Sequence, residues 1–226
     1  RINSYSSGTV MQQYSDSSSA VYYYCIPSSL RNVVITRQTT LPFGAFMNCS
    51  MLTSVTVSNS LTKIGEYSFS ECENLARFNS DSDGVFNIPL GVTYIGNRAF
   101  CDCSSVSEIT TGSQIVSIGE YAFSGCSLVT KFNSSNDGHM VISDSVETIG
   151  DYAFQNMPFL TDVIIPDSAN RIGNGAFKGF NSIVNITLPF VGGSENATHS
   201  ESVFGYIFGR INSYSSGTVM QQYSDS

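Results

Sequence analysis

Cysteines, carboxylates and histidines are the residues of this chain whose types could do chemistry, and their spacing decides what chemistry that would be. Cys49, Cys72, Cys103 and Cys126 each stand three residues after a phenylalanine, namely Phe46, Phe69, Phe100 and Phe123. After Phe154 and Phe177 the same place holds Met157 and Phe180. Met and Phe can replace a buried thiol but cannot complete a disulfide or a metal site, so the row reads as an apolar ladder of free thiols. Cys25 and Cys101 lie off that row and their state stays open. No C-x-x-C or His-containing zinc spacing occurs.

Acidic residues recur three places before a phenylalanine, as Glu66, Glu120 and Asp151, alternating with Asn97 and Asn174. Two carboxylates across a sugar bond are what glycoside hydrolysis needs. The same residue types also suit the start of a short helical turn, and that account covers the asparagines as well. His139 and His199 fall in expected loops with no nucleophile motif beside them. Asp81 and Asp83, just before Gly84, have the flavour of a calcium loop but lack its later ligands, and a turn is wanted there anyway. No residue is therefore assigned to catalysis, to a cofactor or to a metal, and no enzyme is expected. Sequons at Asn48, Asn133, Asn185 and Asn196 would offer N-glycan acceptors in a eukaryotic source, in a number that chance alone explains.

The elements that carry these residues follow from a short repeat. Variants of one hexapeptide occur at 64–69 (IGEYSF), 95–100 (IGNRAF), 118–123 (IGEYAF), 149–154 (IGDYAF) and 172–177 (IGNGAF). Phe46, Phe69, Phe100, Phe123, Phe154 and Phe177 are separated by 23, 31, 23, 31 and 23 residues. Such a return is the signature of stacked coils, none of which can bury its apolar face alone. Within a coil, Leu52, Val55, Val57, Leu61, Ile64 and Phe69 mark the inward positions. The alternation at 52–57 predicts a strand with one buried face, 58–60 a turn, and a second short strand ending near Ile64. Gly65 would then permit a tight bend, with one helical or 3₁₀ turn over 67–72. Every second coil is eight residues longer, from Phe78 and from Phe132, and these stretches contain Asp83-Gly84 and Asp137-Gly138, favourable hairpin turns. Two β-hairpin ridges are thus expected on one edge, with a less regular protrusion at 191–202. Asp81, Asp83 and Asp137 would lie on those ridges as a contact surface.

The pattern Leu-x-x-Val-x-Val followed by Ile-Gly-x-x-Ala-Phe-x-x-Cys-x-x-Leu resembles the BspA-type leucine-rich repeat over residues 30–188. The resemblance implies a mainly β, right-handed leucine-rich-repeat solenoid in a surface-exposed or secreted protein. It also implies adhesion and host or matrix binding, with no shared catalytic residues.

Composition agrees with a folded protein. The 226 residues are 41% hydrophobic and carry a net charge of −8 with only ten Lys plus Arg, scattered singly. That excludes disorder and leaves no basic stripe for nucleic acid. No apolar run approaches the ~20 residues of a membrane span, and a signal peptide would lie outside this segment.

A longer repeat frames the shorter one. RINSYSSGTVMQQYSDS starts at residue 1 and recurs at residue 210, a period of 209. Residues 1–29 read as a Ser/Tyr-rich junction hairpin, with strands at 9–14 and 20–25; 30–208 read as the solenoid; and 209–226 as the start of the next junction segment. Tyr22, Tyr23 and Tyr24 would offer an aromatic contact patch. No polar cap is visible at either end, which favours continuation from block to block. The expected function is an extracellular structural protein whose 209-residue blocks join into a fibre or stalk, its partners being copies of itself. The alternative is a cell-surface adhesin that grips a host or matrix protein, or a glycan, through the ridges or the tyrosines.

Overall fold

The computed structural model describes residues 8–15 and 21–210. The second copy of the recurring stretch, from 211 onward, lies outside the described residues, as do 1–7 and 16–20. The chain begins with an antiparallel pair, β1 (Thr9–Ser15) and β2 (Val21–Pro27). Successive coils then lay down β3 (Asn32–Ile35) and β4 (Thr40–Leu41), β5 (Ser54–Val57) and β6 (Lys63–Ile64), then β7 (Arg77–Phe78), β8 (Val85–Asn87) and β9 (Tyr94–Ile95). The rest are β10 (Glu108–Thr110) and β11 (Ser117–Ile118), then β12 (Lys131–Phe132), β13 (His139–Val141) and β14 (Thr148–Ile149), then β15 (Asp162–Ile164) and β16 (Arg171–Ile172), and last β17 (Asn185–Thr187).

These strands form two parallel sheets. One has nine strands in the order β17-β15-β13-β12-β10-β8-β7-β5-β3, and the other six in the order β16-β14-β11-β9-β6-β4. Register keeps like positions in line: Val55, Phe78, Phe86, Ile109, Phe132, Met140 and Val163 form the inward row of the larger sheet. Ile64, Ile95, Ile118, Ile149 and Ile172 form that of the smaller. Both rows are buried, and between them runs a stack of phenylalanines. Successive ring centroids from Phe46 to Phe177 are 5.2, 5.3, 5.4, 5.8 and 5.8 Å apart, with interplanar angles of 13° or less. Phe46, at the open end of the stack, is only partly buried.

The eight extra residues do not form hairpins. β7 and β8 pair in parallel, Arg77 with Val85 and Phe78 with Phe86, and β12 and β13 do the same. Each longer coil therefore inserts an additional strand into the larger sheet instead of a ridge on its edge. The six-residue link reverses twice, through Asn79 (φ 47°) and Gly84 (φ 79°), with Asn133 (φ 49°) and Gly138 (φ 80°) as counterparts. Burial is the physical reason: a hairpin would leave Phe86 and Met140 in water, whereas both are fully buried here. Burying a side chain of that size contributes ~1.5–3 kcal/mol. Phe78 and Phe86 pack against Phe100, at 5.5 Å each, and fill the space the extra strand opens. The protrusion at 191–202 lays down no strand, only a short 3₁₀ segment, His199–Glu201.

The closing turns are not helical either. Tyr67, Arg98, Tyr121 and Tyr152, two residues before a phenylalanine, and Asn48, Glu71, Asp102 and Asn156, two after, have φ between 54° and 65°. Alternate amides bond within the turn, as Ser70 N does to Tyr67 O at 3.2 Å. The others donate to the next coil, as Phe69 N does to Ala99 O at 2.8 Å. Left-handed backbone costs ~1–2 kcal/mol per non-Gly residue, and these inter-coil bonds offset it. The glycine of each Ile-Gly pair acts by close approach rather than by a bend: a Cβ on Gly119 would stand 2.6 Å from Asn97 N of the preceding coil.

Both ends of this turn stack are covered. Gln12 of β1 directs its Nε2 amide at the first turn, within reach of the outward carbonyls Ala45 O (3.2 Å) and Met47 O (3.3 Å) and of Gly44 O (3.3 Å), which also accepts from Met47 N. At the other end the 3₁₀ segment Phe204–Phe208 accepts from the last coil, Gly175 N to Tyr206 O and Phe177 N to Ile207 O, each 2.9 Å. The turn stack is therefore not open as expected, while β3 and β17 remain the edge strands of the larger sheet. Sequence could not show it, because Gln12 reaches its partners across more than thirty residues.

Candidate functional site

The outer face of the larger sheet carries a rung-by-rung row of groups, polar but for Val85. Register places Ser54, Arg77, Val85, Glu108, Lys131, His139, Asp162 and Asn185 side by side. Lys131 Nζ lies 3.9 Å from Glu108 Oε2 and 3.4 Å from Asp137 Oδ1, while Arg77 Nε stands 3.2 Å from Asp83 Oδ1. The two inserted turns thus repeat one arrangement, a cation on the strand and an aspartate on the turn. Asp83 and Asp137 are ion-paired locally and are not gathered into a common cluster. Asp81 instead lines a shallow depression of about 500 Å³ with Val34, Thr56, Val57, Asn59 and Asn79.

Asp162 is the most connected group on this face. It accepts from Thr161 Oγ1 and Asn185 Nδ2, each at 2.6 Å, and faces His139 Nε2 at 3.8 Å. Those hydrogen bonds, then the histidine, hold its carboxyl below the usual range. His139 therefore lies on a strand, in contrast to the expected loop; His199 lies in the 3₁₀ segment His199–Glu201.

Two members of the carboxylate and asparagine row serve the backbone. Asn97 Oδ1 accepts from Glu120 N at 2.9 Å and Asp151 Oδ1 from Asn174 N at 3.0 Å, so each side chain caps the turn of the next coil rather than its own. Arg171 Nη2 also reaches Asp151, at 3.3 Å. Such a row spaces its groups along the stack and places no two across a cleft. Among the described residues no group of three or more His, Cys, Asp or Glu is arranged to hold a metal ion.

Beside that row runs one that sequence reasoning missed. Arg98 lies over the rings of Tyr67 (5.8 Å) and Tyr121 (4.3 Å), Tyr121 stacks on Tyr152 at 4.9 Å, and Lys178 covers Tyr152 at 5.6 Å. The available signal was position: each ring and Arg98 stand two residues before a ladder phenylalanine. Their flat faces are used by one another, which makes the row a lateral brace.

The thiols are placed as an interior row. Cys49, Cys72, Cys103 and Cys126 are buried and unpaired, and Cys101 is buried as well, leaving Cys25 exposed. Thiols of Cys72, Cys103 and Cys126 face carbonyls of the preceding coil, Phe46 O, Phe69 O and Phe100 O, at 3.0–3.4 Å. Burial pushes Cys49 up to about 11. It raises Cys72, Cys103 and Cys126 well above the thiol range. Burial, then Asp102, takes Cys101 to about 12. These are poor nucleophiles.

Of the sequons, Asn185 and Asn196 are exposed and Asn48 is partly buried. Asn133 is committed inside the fold: its Nδ2 donates to Thr111 Oγ1, Val141 O and Ser143 Oγ, and its Oδ1 accepts from Thr111 N at 2.6 Å. Tyr22, Tyr23 and Tyr24 of β2 are 45%, 48% and 55% exposed.

Comparison with known proteins agrees with this geometry. The family model for the BspA type leucine rich repeat region matches in six copies, over residues 16–129 and 84–191. A leucine rich repeat protein of T. pallidum superposes with a TM-score of 0.60 at 24% identity, over 78% of each chain. A leucine-rich repeat protein of Bacteroides ovatus gives 0.57 at 24% identity, over 83% of this chain and 47% of the other, so this chain spans about half its length. No curated protein matches in sequence.

Proposed function

The chain belongs to the BspA type leucine rich repeat family, and from that premise we propose that it is a non-enzymatic structural segment of a surface or secreted protein, in which 209-residue blocks follow one another as a stalk or fibre. One observation carries this reading. The recurring stretch contains Gln12, whose amide covers the first turn of the solenoid, and its second copy brings the same glutamine as Gln221. On this reading, the repeated stretch has the same task for a following block.

The chemistry supports a structural role: Asn97 and Asp151 cap backbone amides, the ladder thiols are buried, and the depression beside Asp81 is shallow. A second reading is favoured by the polar row of the larger sheet, a register-fixed surface from Arg77 to Asn185 on which an adhesin would bind a host or matrix protein or a glycan. Electron microscopy of the native protein separates the two. Eight strand spacings of ~4.8 Å give the larger sheet of one block roughly 40 Å of length. An elongated particle with a regular repeat of one block is the expected result. A single isolated block on an unrelated stem would overturn the stalk and favour the adhesin.

A further inference from the structure

Exposed aromatic rings are concentrated at the two ends of the solenoid. Among the described residues Tyr22, Tyr23, Tyr24 and Phe43 lie at the first end and Phe204 at the last, all more than a third exposed, with Phe159 the one such ring between them. Cross-strand partners share a face, so β2 divides its tyrosines. Tyr24 is opposite Gln12, on the face that reaches the first turn, and Ile26 on that face packs against the core. Tyr23 is opposite Gln13, on the face turned away from the solenoid, together with the exposed Cys25. At the other end Phe204 and Phe208 pack edge to face at 5.3 Å, with Phe204 41% exposed.

We propose that the hairpin of one block docks the outer face of β2, led by Tyr23, on Phe204 and Phe208 of the block before it. The proposal rests on the tandem reading above. Residues 209–217 separate Phe208 from Thr218, where the sequence of β1 recurs. Nine residues span at most ~30 Å, which in a tandem chain keeps the start of the next hairpin within that reach of this patch. Tethering of that kind gives an effective concentration on the order of millimolar, at which a small aromatic contact is enough to close. The contact is heterologous, patch against a different patch, and repeats without closing into a ring, as an open linear array requires.

Cys25 supplies a native reporter, because it shares the outer face with Tyr23 and the ladder thiols are buried. A two-copy polypeptide, residues 1–209 followed by 1–226, is treated with a thiol reagent and the modification of each hairpin thiol is followed by mass spectrometry. The second copy's thiol should react at least tenfold more slowly than the first copy's. Phe204→Ser in the first copy, or separately Tyr23→Ser in the second, should restore the fast rate, while Phe204→Ser in the last copy should change nothing. The first copy's own thiol rate and the circular dichroism spectrum check that each variant is folded. Equal rates in the parent, or slow labelling that survives both junction variants, would overturn the docking. Since the tandem is built into this polypeptide, that failure would leave the array reading to the native axial repeat.

Discussion

The nine-stranded and six-stranded sheets are laid down by the same coils, yet they differ in length. From β3 to β15 the larger has eight strands, while β4 to β16, over the same run, has six. The phenylalanine stack and closing turns keep one step per coil whether the coil has 23 residues or 31. An inserted strand therefore adds a rung of ~4.8 Å to one face only. Coils must splay on the larger-sheet side and stay closed on the other, and Phe78, Phe86, Phe132 and Met140 occupy the wedge. The difference teaches that this solenoid sets its curvature by local insertions, with the turn stack acting as the inextensible side.

That contrast can be broken most severely from inside the wedge. Phe86→Ala should cost about 3–5 kcal/mol, as much as Phe69→Ala in the regular stack, because both rings are fully buried. Denaturant unfolding of the two variants measures it. A loss under 1 kcal/mol for Phe86→Ala alone would mean that the inserted strand is decoration. The turn that makes the insertion should be the next most sensitive. Gly138 has φ 80° and its Cβ would lie 2.7 Å from Thr161 Oγ1, so Gly138→Ala should lower stability by about 1–3 kcal/mol. Gly→Ala at a surface position without such a φ is the control.

The closed side can be tested through its thiols. Cys126 is held protonated by burial, so its contribution is fully present below the unfolded thiol pKa of ~8.5 and is lost as pH rises above it. Between pH 9.5 and 10.5 the parent should lose about 1.4 kcal/mol more than Cys126→Met, a change to the residue type that Met157 places one coil later. Identical pH slopes would show that this thiol titrates in the folded protein. The smallest effect is expected at the capped end, where Gln12→Ala should cost about 1 kcal/mol. It should raise amide exchange in the first closing turn before any in the middle of the stack.

Sequence spacing made the turn stack legible and left the wedge hidden, for physical reasons. Phe46 to Phe177 recur at fixed intervals because each ring rests on its counterpart, so periodicity alone finds them. The inserted strands are too short to display alternation, and Asp83-Gly84 looks the same in a hairpin as in a parallel link. A second apolar pair eight residues on, Phe86 after Phe78 and Met140 after Phe132, was the signal that distinguished them. The left-handed tyrosines could not be anticipated, since Tyr67 and Tyr121 hold that backbone only because the next coil accepts their amides. The end cap and the Tyr–Arg row depend on contacts far apart in the chain, which a single sequence does not display.

Because the strands of both sheets run across the stack, their hydrogen bonds point along it, and this fixes how the molecule responds to force. Tension applied at the chain ends loads those bonds in series, so coils peel away one after another instead of shearing together. Each released coil of 23 or 31 residues yields roughly 80 or 105 Å of extended chain. The covers at Gln12 and at Phe204–Phe208, held by a few hydrogen bonds, should be the first contacts to give way, with the buried aromatic stack resisting thereafter. In the proposed stalk, blocks of this kind would act as an extensible tether that dissipates a pull in small increments.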